Sequence, residues 1–118
     1  MARHHRRKQN DRGAVTVEAA IALSAFATAL AVTLGGMAAG VDQVRCVDAA
    51  REAARLTARG EQEQGKTAAA RIAPPNAAIA VRIEGNQIEV DVHAAPINGL
   101  LPGLQLHAEA FAIREPDR

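Results

Sequence analysis

One carboxylate, Glu18, interrupts a stretch of the chain that is otherwise uncharged from Gly13 to Val41. A charged side chain in membrane-spanning material is costly and usually has a function. Glu18 lies five residues after Gly13, so a peptidase that cut after Gly13 would make Ala14 the new amino terminus. Its ammonium group could pair with Glu18 of a neighbouring subunit in a low-dielectric environment, where the attraction is strong. Such a pair would fix the axial stagger between subunits.

The sequence has no residue pattern typical of an enzyme active site, and we expect a protein that is not an enzyme. No Ser/His/Asp set, glycine-rich phosphate loop or spaced metal-ligand group is present, which predicts no cofactor, no metal and no small-molecule substrate. His93 and His107 are expected to be surface residues, not a catalytic pair. Cys46 is the single cysteine. We interpret it as a small buried helix residue, with an intermolecular disulfide as the alternative.

The positive charge is concentrated at the amino end, which predicts the topology. The net charge is +1, but the leader is strongly basic and carries Arg3, Arg6, Arg7, Lys8 and Arg12 against one acid, Asp11. The positive-inside rule then places the amino terminus in the cytoplasm and the carboxyl terminus outside it. We expect the basic cluster to contact anionic membrane lipid and not nucleic acid, because no aromatic platform accompanies it.

The amino-acid composition and the spacing of apolar residues predict the elements that must position Glu18. We divide the chain into a basic leader (residues 1–13), a transmembrane and assembly helix (14–41), an amphipathic helical extension (42–73) and a small extracytoplasmic β-rich tail (74–118). The leader is expected to be disordered or to lie at a membrane surface, and Gly13 to offer an extended site for cleavage. Ala19–Met37 is long enough to cross a bilayer as a helix, and Gly35 and Gly36 weaken that helix.

The extension is predicted to be helical, and the tail to form strands. Val44, Val47, Ala50 and Ala54 recur at helical spacing, and Gly60 is the expected stop before a short helix that ends at Pro74–Pro75.

Residues 79–83 and 88–92 alternate apolar and polar side chains around Gly85–Asn86, which predicts a β-hairpin. A third strand is predicted over 104–113, with a bulge or early end at Phe111, where the alternation shifts. The fold class is therefore α+β: a long N-terminal helix and a two- to three-stranded antiparallel sheet.

The segment DRGAVTVEAAIAL, residues 11–23, resembles the processing signal of type IV pilin-like proteins. Within that group the chain looks most like the TadE-like minor pilins, or pseudopilins, of tight-adherence (Flp-type) pilus systems. RCVDAAREAARLTARGE, residues 45–61, is similar to the actinobacterial branch. The resemblance implies that a prepilin peptidase cuts between Gly13 and Ala14, that Glu18 is the assembly glutamate, and that other pilin subunits and pilus assembly proteins are partners. Ala19 stands where many relatives have phenylalanine.

Two other interpretations remain open at this stage. The chain is alternatively an unprocessed single-span membrane protein with a small extracytoplasmic interaction domain, in which Glu18 lies at the cytoplasmic interface. It is alternatively a secreted protein with an ordinary signal peptide, cleaved near the small residues Met37, Ala38 and Ala39. The pilin-like interpretation instead predicts a cell-membrane protein that enters a pilus or its assembly machinery.

Overall fold

A computed structural model describes the backbone of residues 2–96 and 103–116 and the side chains of residues 10–96 and 103–116. The described elements are α1 (Ala2–Ala58), α2 (Gln62–Ile72), β1 (Ala78–Glu84), β2 (Gln87–Ala94) and β3 (Leu106–Ile113). The strands form an antiparallel sheet in the order β1-β2-β3. The predicted α+β class, a long N-terminal helix followed by a small antiparallel sheet, is confirmed.

The chain divides into two compact units, an N-terminal unit (Met1–Gly35) and a C-terminal unit (Gly36–Arg118). The division falls between the two glycines predicted to weaken the helix. The N-terminal unit consists of α1 alone among its described residues, whereas the C-terminal unit combines the last part of α1 with α2 and the sheet.

Helix α1 begins earlier than the sequence predicts. Its backbone is helical from Ala2, so disorder of the leader is not what the structure shows, and the alternative, a leader that lies at a membrane surface, stays a prediction. Gly13 lies inside the helix, which also contradicts the expected extended site in the uncut chain. The physical reason is that one glycine costs a helix interior only about 1 kcal/mol relative to alanine. Its immediate neighbours, Arg12 and Ala14, are good helix formers.

The end of α1 is set by Gly60, as predicted. Gly60 has a positive φ of 84°, a conformation that glycine adopts without a steric penalty. Its N–H donates to the Thr57 carbonyl at 2.9 Å, and the N–H of Glu61 donates to the Leu56 carbonyl at 2.9 Å. This pair of bonds is the Schellman motif, which satisfies the last carbonyl groups of a helix. The chain then reverses into α2.

The hairpin between β1 and β2 has the predicted two-residue turn. Glu84 pairs with Gln87, which leaves Gly85 and Asn86 as the connection. Gly85 has a positive φ of 59°, as the first residue of a type II′ turn requires. This turn fixes the register that places Ile88, Val90 and Val92 on one face of the central strand, where all three are fully buried.

The core of the C-terminal unit is made largely of alanine on the helices and of branched residues on the central strand. The buried helix residues are Cys46, Ala49, Ala50, Ala53, Ala54, Ala58 and Ala69, and they form one cluster with the buried residues of β2. Side chains this small let backbones approach closely. Gly65 of α2 is an example, because a Cβ atom added there would lie 3.0 Å from the Ala53 carbonyl oxygen of α1.

Two side chains in this unit do not follow the pattern that the sequence indicates. Val44 is 59% exposed, because the buried helix face begins at Cys46 and follows the smaller residues. Phe111 does not shift the alternation of β3. It points outward at 67% exposure, while Ala108, Ala110 and Ala112 pair with the inward-facing residues of β2. Small inward residues bring β3 close to the core, and no bulge is needed. The prediction of a buried Cys46 is confirmed at 0% exposure.

Candidate functional site

The N-terminal unit presents an exposed apolar helix surface. Its large apolar side chains are at least 48% exposed, and they are Val15, Val17, Ile21, Leu23, Phe26, Leu30, Val32 and Leu34. An apolar surface that surrounds a helix in this way requires lipid or a protein partner. The described part of the chain contains one helix long and apolar enough to cross a membrane by length and composition, within Asn10–Ala58.

The hydroxyl groups in this helix are satisfied within it. Thr16, Ser24, Thr28 and Thr33 are the hydroxyl residues of the 14–41 stretch. Each donates a hydrogen bond of 2.7–2.8 Å to the carbonyl four residues earlier. Hydroxyls bonded in this manner do not need water. In an apolar phase, Glu18 would be the one polar side chain of this segment without a partner among the described residues.

Glu18 lies on a helix face made of small and apolar residues. Ala14 and Ala22 are one turn before and after it, and a shallow concavity on this side of the helix is lined by Gly13, Ala14, Val17, Glu18, Ile21 and Ala22. Among the described side chains, none forms a hydrogen bond or ion pair with Glu18. The geometry thus brings Gly13, Ala14 and Glu18 onto adjoining turns, and it leaves the carboxylate available to a group from outside the unit.

A second polar cluster lies on the face of the sheet opposite the core. Asp91 and His93 of β2 pair directly with Glu109 and His107 of β3. The His107 Nε2 atom lies 3.3 Å from Asp91 Oδ1 and 3.4 Å from Glu109 Oε1. The rings of His93 and His107 stack with centroids 4.4 Å apart. The main-chain carbonyl of His107 also accepts a hydrogen bond of 3.0 Å from Gln43 Nε2 of α1.

Sequence reasoning missed this cluster although its signal is present. Both histidines are exposed, as predicted, but their contact was not foreseen. The strands read Asp91-x-His93 and His107-x-Glu109, which places each pair on one face of its strand. Only the register between β2 and β3 shows that the two pairs meet, and the connecting residues 97–102 lie outside the described residues.

The fold and these sites define a small α+β protein with an N-terminal helix that meets the requirements of a membrane span. The chain is 41% identical over 100 residues to a Mycobacterium tuberculosis (strain ATCC 25618 / H37Rv) protein named Apoptosis inhibitor Rv3655c, and the alignment covers 85% of this chain and 78% of that protein. The chain therefore belongs to the same family as that mycobacterial protein.

Two further comparisons gave no match. No protein-family model matches the sequence, and no solved structure matches it.

Proposed function

We propose that this protein is a TadE-like minor pilin, trimmed after Gly13 and assembled through its N-terminal helix into a tight-adherence pilus or its assembly machinery. The observation that carries the proposal is the carboxylate of Glu18, which has no partner among the described side chains and lies on an exposed apolar helix, one turn after the Gly13–Ala14 bond. The protein is then the substrate of an enzyme, a prepilin peptidase, and a structural component of an assembly.

Processing requires a local change of backbone conformation. The segment around Gly13 is helical before the cut, and a peptidase needs an accessible peptide bond. A glycine lowers the cost of unwinding at this position by about 1 kcal/mol relative to alanine. No described side chain would hinder access, because a Cβ atom added at Gly13 would have no neighbour within 4 Å.

Cleavage would create one of the two charges that assembly uses, and Glu18 supplies the other. The leader and its arginines would be lost, and Ala14 would carry an ammonium group next to the apolar helix. An unpaired ammonium and an unpaired carboxylate are each unfavourable in an apolar environment. Between neighbouring subunits they neutralise each other, and one axial register brings them together. The exposed alanines, serines and threonines along the helix permit close approach between helices.

Mass spectrometry of the mature amino terminus tests the proposal. We expect the protein recovered from its native membrane to begin at Ala14, with or without a methyl group on the amine. Gly13→Leu should block trimming, because a bulky side chain replaces the small residue before the cut. Gly36→Leu is the matched control, since Gly36 also has open space around it but lies far from the bond in sequence. A mature chain that retains residues 1–13 would contradict the proposal and would favour an unprocessed single-span protein.

The name of the mycobacterial relative suggests a second candidate function, inhibition of apoptosis. We consider it for this chain because an N-terminal apolar helix also has the length and composition of a signal sequence. The C-terminal unit has a core of its own, as a released domain requires. Under this alternative the mature chain would begin near Gly40, and the same mass measurement would distinguish it from a chain that begins at Ala14.

A further inference from the structure

We propose that Asp91, His107 and Glu109 form a binding site for a divalent transition metal, with Zn²⁺ as the best match, on the outer face of the sheet. Each residue offers one ligand atom, and the three atoms all lie within 4.8 Å of one another. Imidazole nitrogen and carboxylate oxygen are both ligands that Zn²⁺ accepts in proteins. This site is separate from the processing and assembly residues and does not depend on their function.

The strand register builds the site from a rigid frame. Asp91 pairs directly with Glu109, and His93 pairs directly with His107. The side chains therefore project from adjacent positions of two hydrogen-bonded strands, and the inward residues between them, Val92 and Ala108, are buried. Ligands that project from strands are held more accurately than ligands on loops.

Two of the distances between the ligand atoms fit a bound ion. A tetrahedral Zn²⁺ holds nitrogen and oxygen ligands at about 2.0–2.2 Å, so neighbouring ligand atoms lie about 3.4 Å apart. His107 Nε2 is 3.3 Å from Asp91 Oδ1 and 3.4 Å from Glu109 Oε1. The 3.3 Å contact is also within hydrogen-bond distance, so an ion bound here would replace that bond.

Charge gives an independent reason for a cation. Like charges directly opposite each other on adjacent strands destabilise a sheet, and Asp91 and Glu109 occupy directly opposite positions. The single ring nitrogen of His107 near both carboxylates carries at most one proton to share between them. A divalent cation would neutralise both carboxylates at once and would use the nitrogen lone pair as a third ligand.

Three protein ligands leave a tetrahedral ion with an open position. His107 and Glu109 are exposed and Asp91 is partly buried, so water or a group from a partner molecule can reach that position. His93 stacks on His107 with an angle of 17° between the ring planes. We assign His93 the role of a positioning residue, because it restricts the rotation of the His107 ring.

Zinc titration of the full-length protein in detergent micelles tests the proposal. The background should carry His4→Ala and His5→Ala, since adjacent histidines in the leader can bind zinc themselves. Added ZnCl₂ competes with a chromophoric chelator, and the stoichiometry and Kd are read from its absorbance. Co²⁺ is the second probe, because strong visible absorption distinguishes tetrahedral from octahedral coordination. We expect one ion per chain and tetrahedral absorption.

The variants distinguish a specific metal-binding site from a general attraction of cations to acidic side chains. His107→Gln and Glu109→Gln should each weaken binding at least tenfold, because even residues that only support metal ligands contribute about 10–100-fold. His93→Ala should weaken it less. Glu89→Gln is the matched control, since Glu89 lies on the same face of β2 two residues from Asp91, and it should leave the Kd unchanged.

Three results would overturn the proposal. They are no binding by the parent chain, binding that survives His107→Gln, and an equal loss in Glu89→Gln. Because each of these variants changes an exposed or half-exposed side chain, its fold can be verified by circular dichroism before the titration. None of these measurements depends on trimming at Gly13, so failure here leaves the proposed pilin function untouched.

Discussion

The two units of the chain use apolar residues in opposite ways. In the N-terminal unit, valine, leucine, isoleucine and phenylalanine side chains surround a single helix and stay exposed. In the C-terminal unit, the helix surface that faces the core is mostly alanine, and the large apolar residues come from β2. The first unit therefore needs another molecule to cover it, whereas the second has a buried core of its own, although Val44, Phe111 and Ile113 stay exposed. This difference shows that overall hydrophobicity alone does not identify the part of a protein that folds independently.

Glu18 also differs from several carboxylates of the C-terminal unit in its contacts. Glu52 of the C-terminal unit accepts two hydrogen bonds from Arg55, at 2.6 and 3.0 Å, and Asp91 and Glu109 both lie near His107. Glu18 has no such partner among the described side chains. Glu52, Asp91 and Glu109 therefore have contacts within their own unit, whereas the proposed partner of Glu18 comes from another subunit.

The largest expected effect comes from Glu18. Glu18→Gln should leave membrane insertion and trimming intact but should reduce incorporation into filaments more than a hundredfold. The reason is that removing one partner of a buried ion pair costs about 3–5 kcal/mol, and each 1.4 kcal/mol is about tenfold in an equilibrium constant. Quantitative immunoblotting of sheared filaments against membranes measures the ratio. Glu63→Gln, on the exposed surface of α2, is the control. Normal incorporation of the Glu18 variant would show that assembly does not need this carboxylate, and it would contradict the proposed difference between the two units.

A second test makes the same truncation in both units. Ile88→Ala removes a side chain that is 0% exposed, and Ile21→Ala removes one that is 64% exposed. The first should lower the free energy of unfolding of the C-terminal unit by about 2–5 kcal/mol, the range for buried Ile-to-Ala changes. The second should leave it unchanged within about 0.5 kcal/mol. Hydrogen exchange of the β2 amides in detergent micelles measures both. Equal losses would mean that the N-terminal unit contributes to the core.

The smallest of these effects concerns two glycines. An added methyl group at Gly65 would lie 3.0 Å from the Ala53 carbonyl oxygen and 3.3 Å from Leu56 Cβ, so Gly65→Ala should destabilise the C-terminal unit by about 1–3 kcal/mol. Gly40 has no neighbour within 4 Å. Gly40→Ala should therefore stabilise α1 by up to about 1 kcal/mol through helix propensity alone. Thermal unfolding followed by circular dichroism compares the two variants. A stabilised Gly65→Ala variant would show that α1 and α2 pack less closely than the structure indicates.

Local patterns predicted much of the fold because the forces behind them act over a few residues. The end of α1 at Gly60 and the turn at Gly85–Asn86 depend on backbone conformations that glycine adopts easily. The strands β1 and β2 were predicted from the alternation of apolar and polar side chains. The prominence of Glu18 was equally clear from the sequence, since one charge in a long apolar stretch needs no tertiary context to be noticed.

Predictions failed where the outcome depended on which surfaces meet. Val44 recurs at helical spacing with Val47, Ala50 and Ala54, yet Val44 is exposed, whereas Ala49, which is outside that series, is buried. At Phe111 the sequence predicted a bulge or an early end, yet β3 continues to Ile113 with Phe111 outward. In both cases alanine side chains occupy the buried positions, because small residues permit closer packing of backbones. This improvement in packing can be recognised only when the facing element is known.

The sequence by itself determined the apolar helix, its lone acid and the existence of a hairpin, because hydrophobic period and glycine conformation are properties of neighbouring residues. Only the tertiary structure decided that residues 46–58 present small side chains to the sheet. Likewise, only the tertiary structure brings Asp91 and His93 next to His107 and Glu109. These residues lie far apart along the chain, and hydrogen bonds between two strands, not any local preference, bring their side chains together.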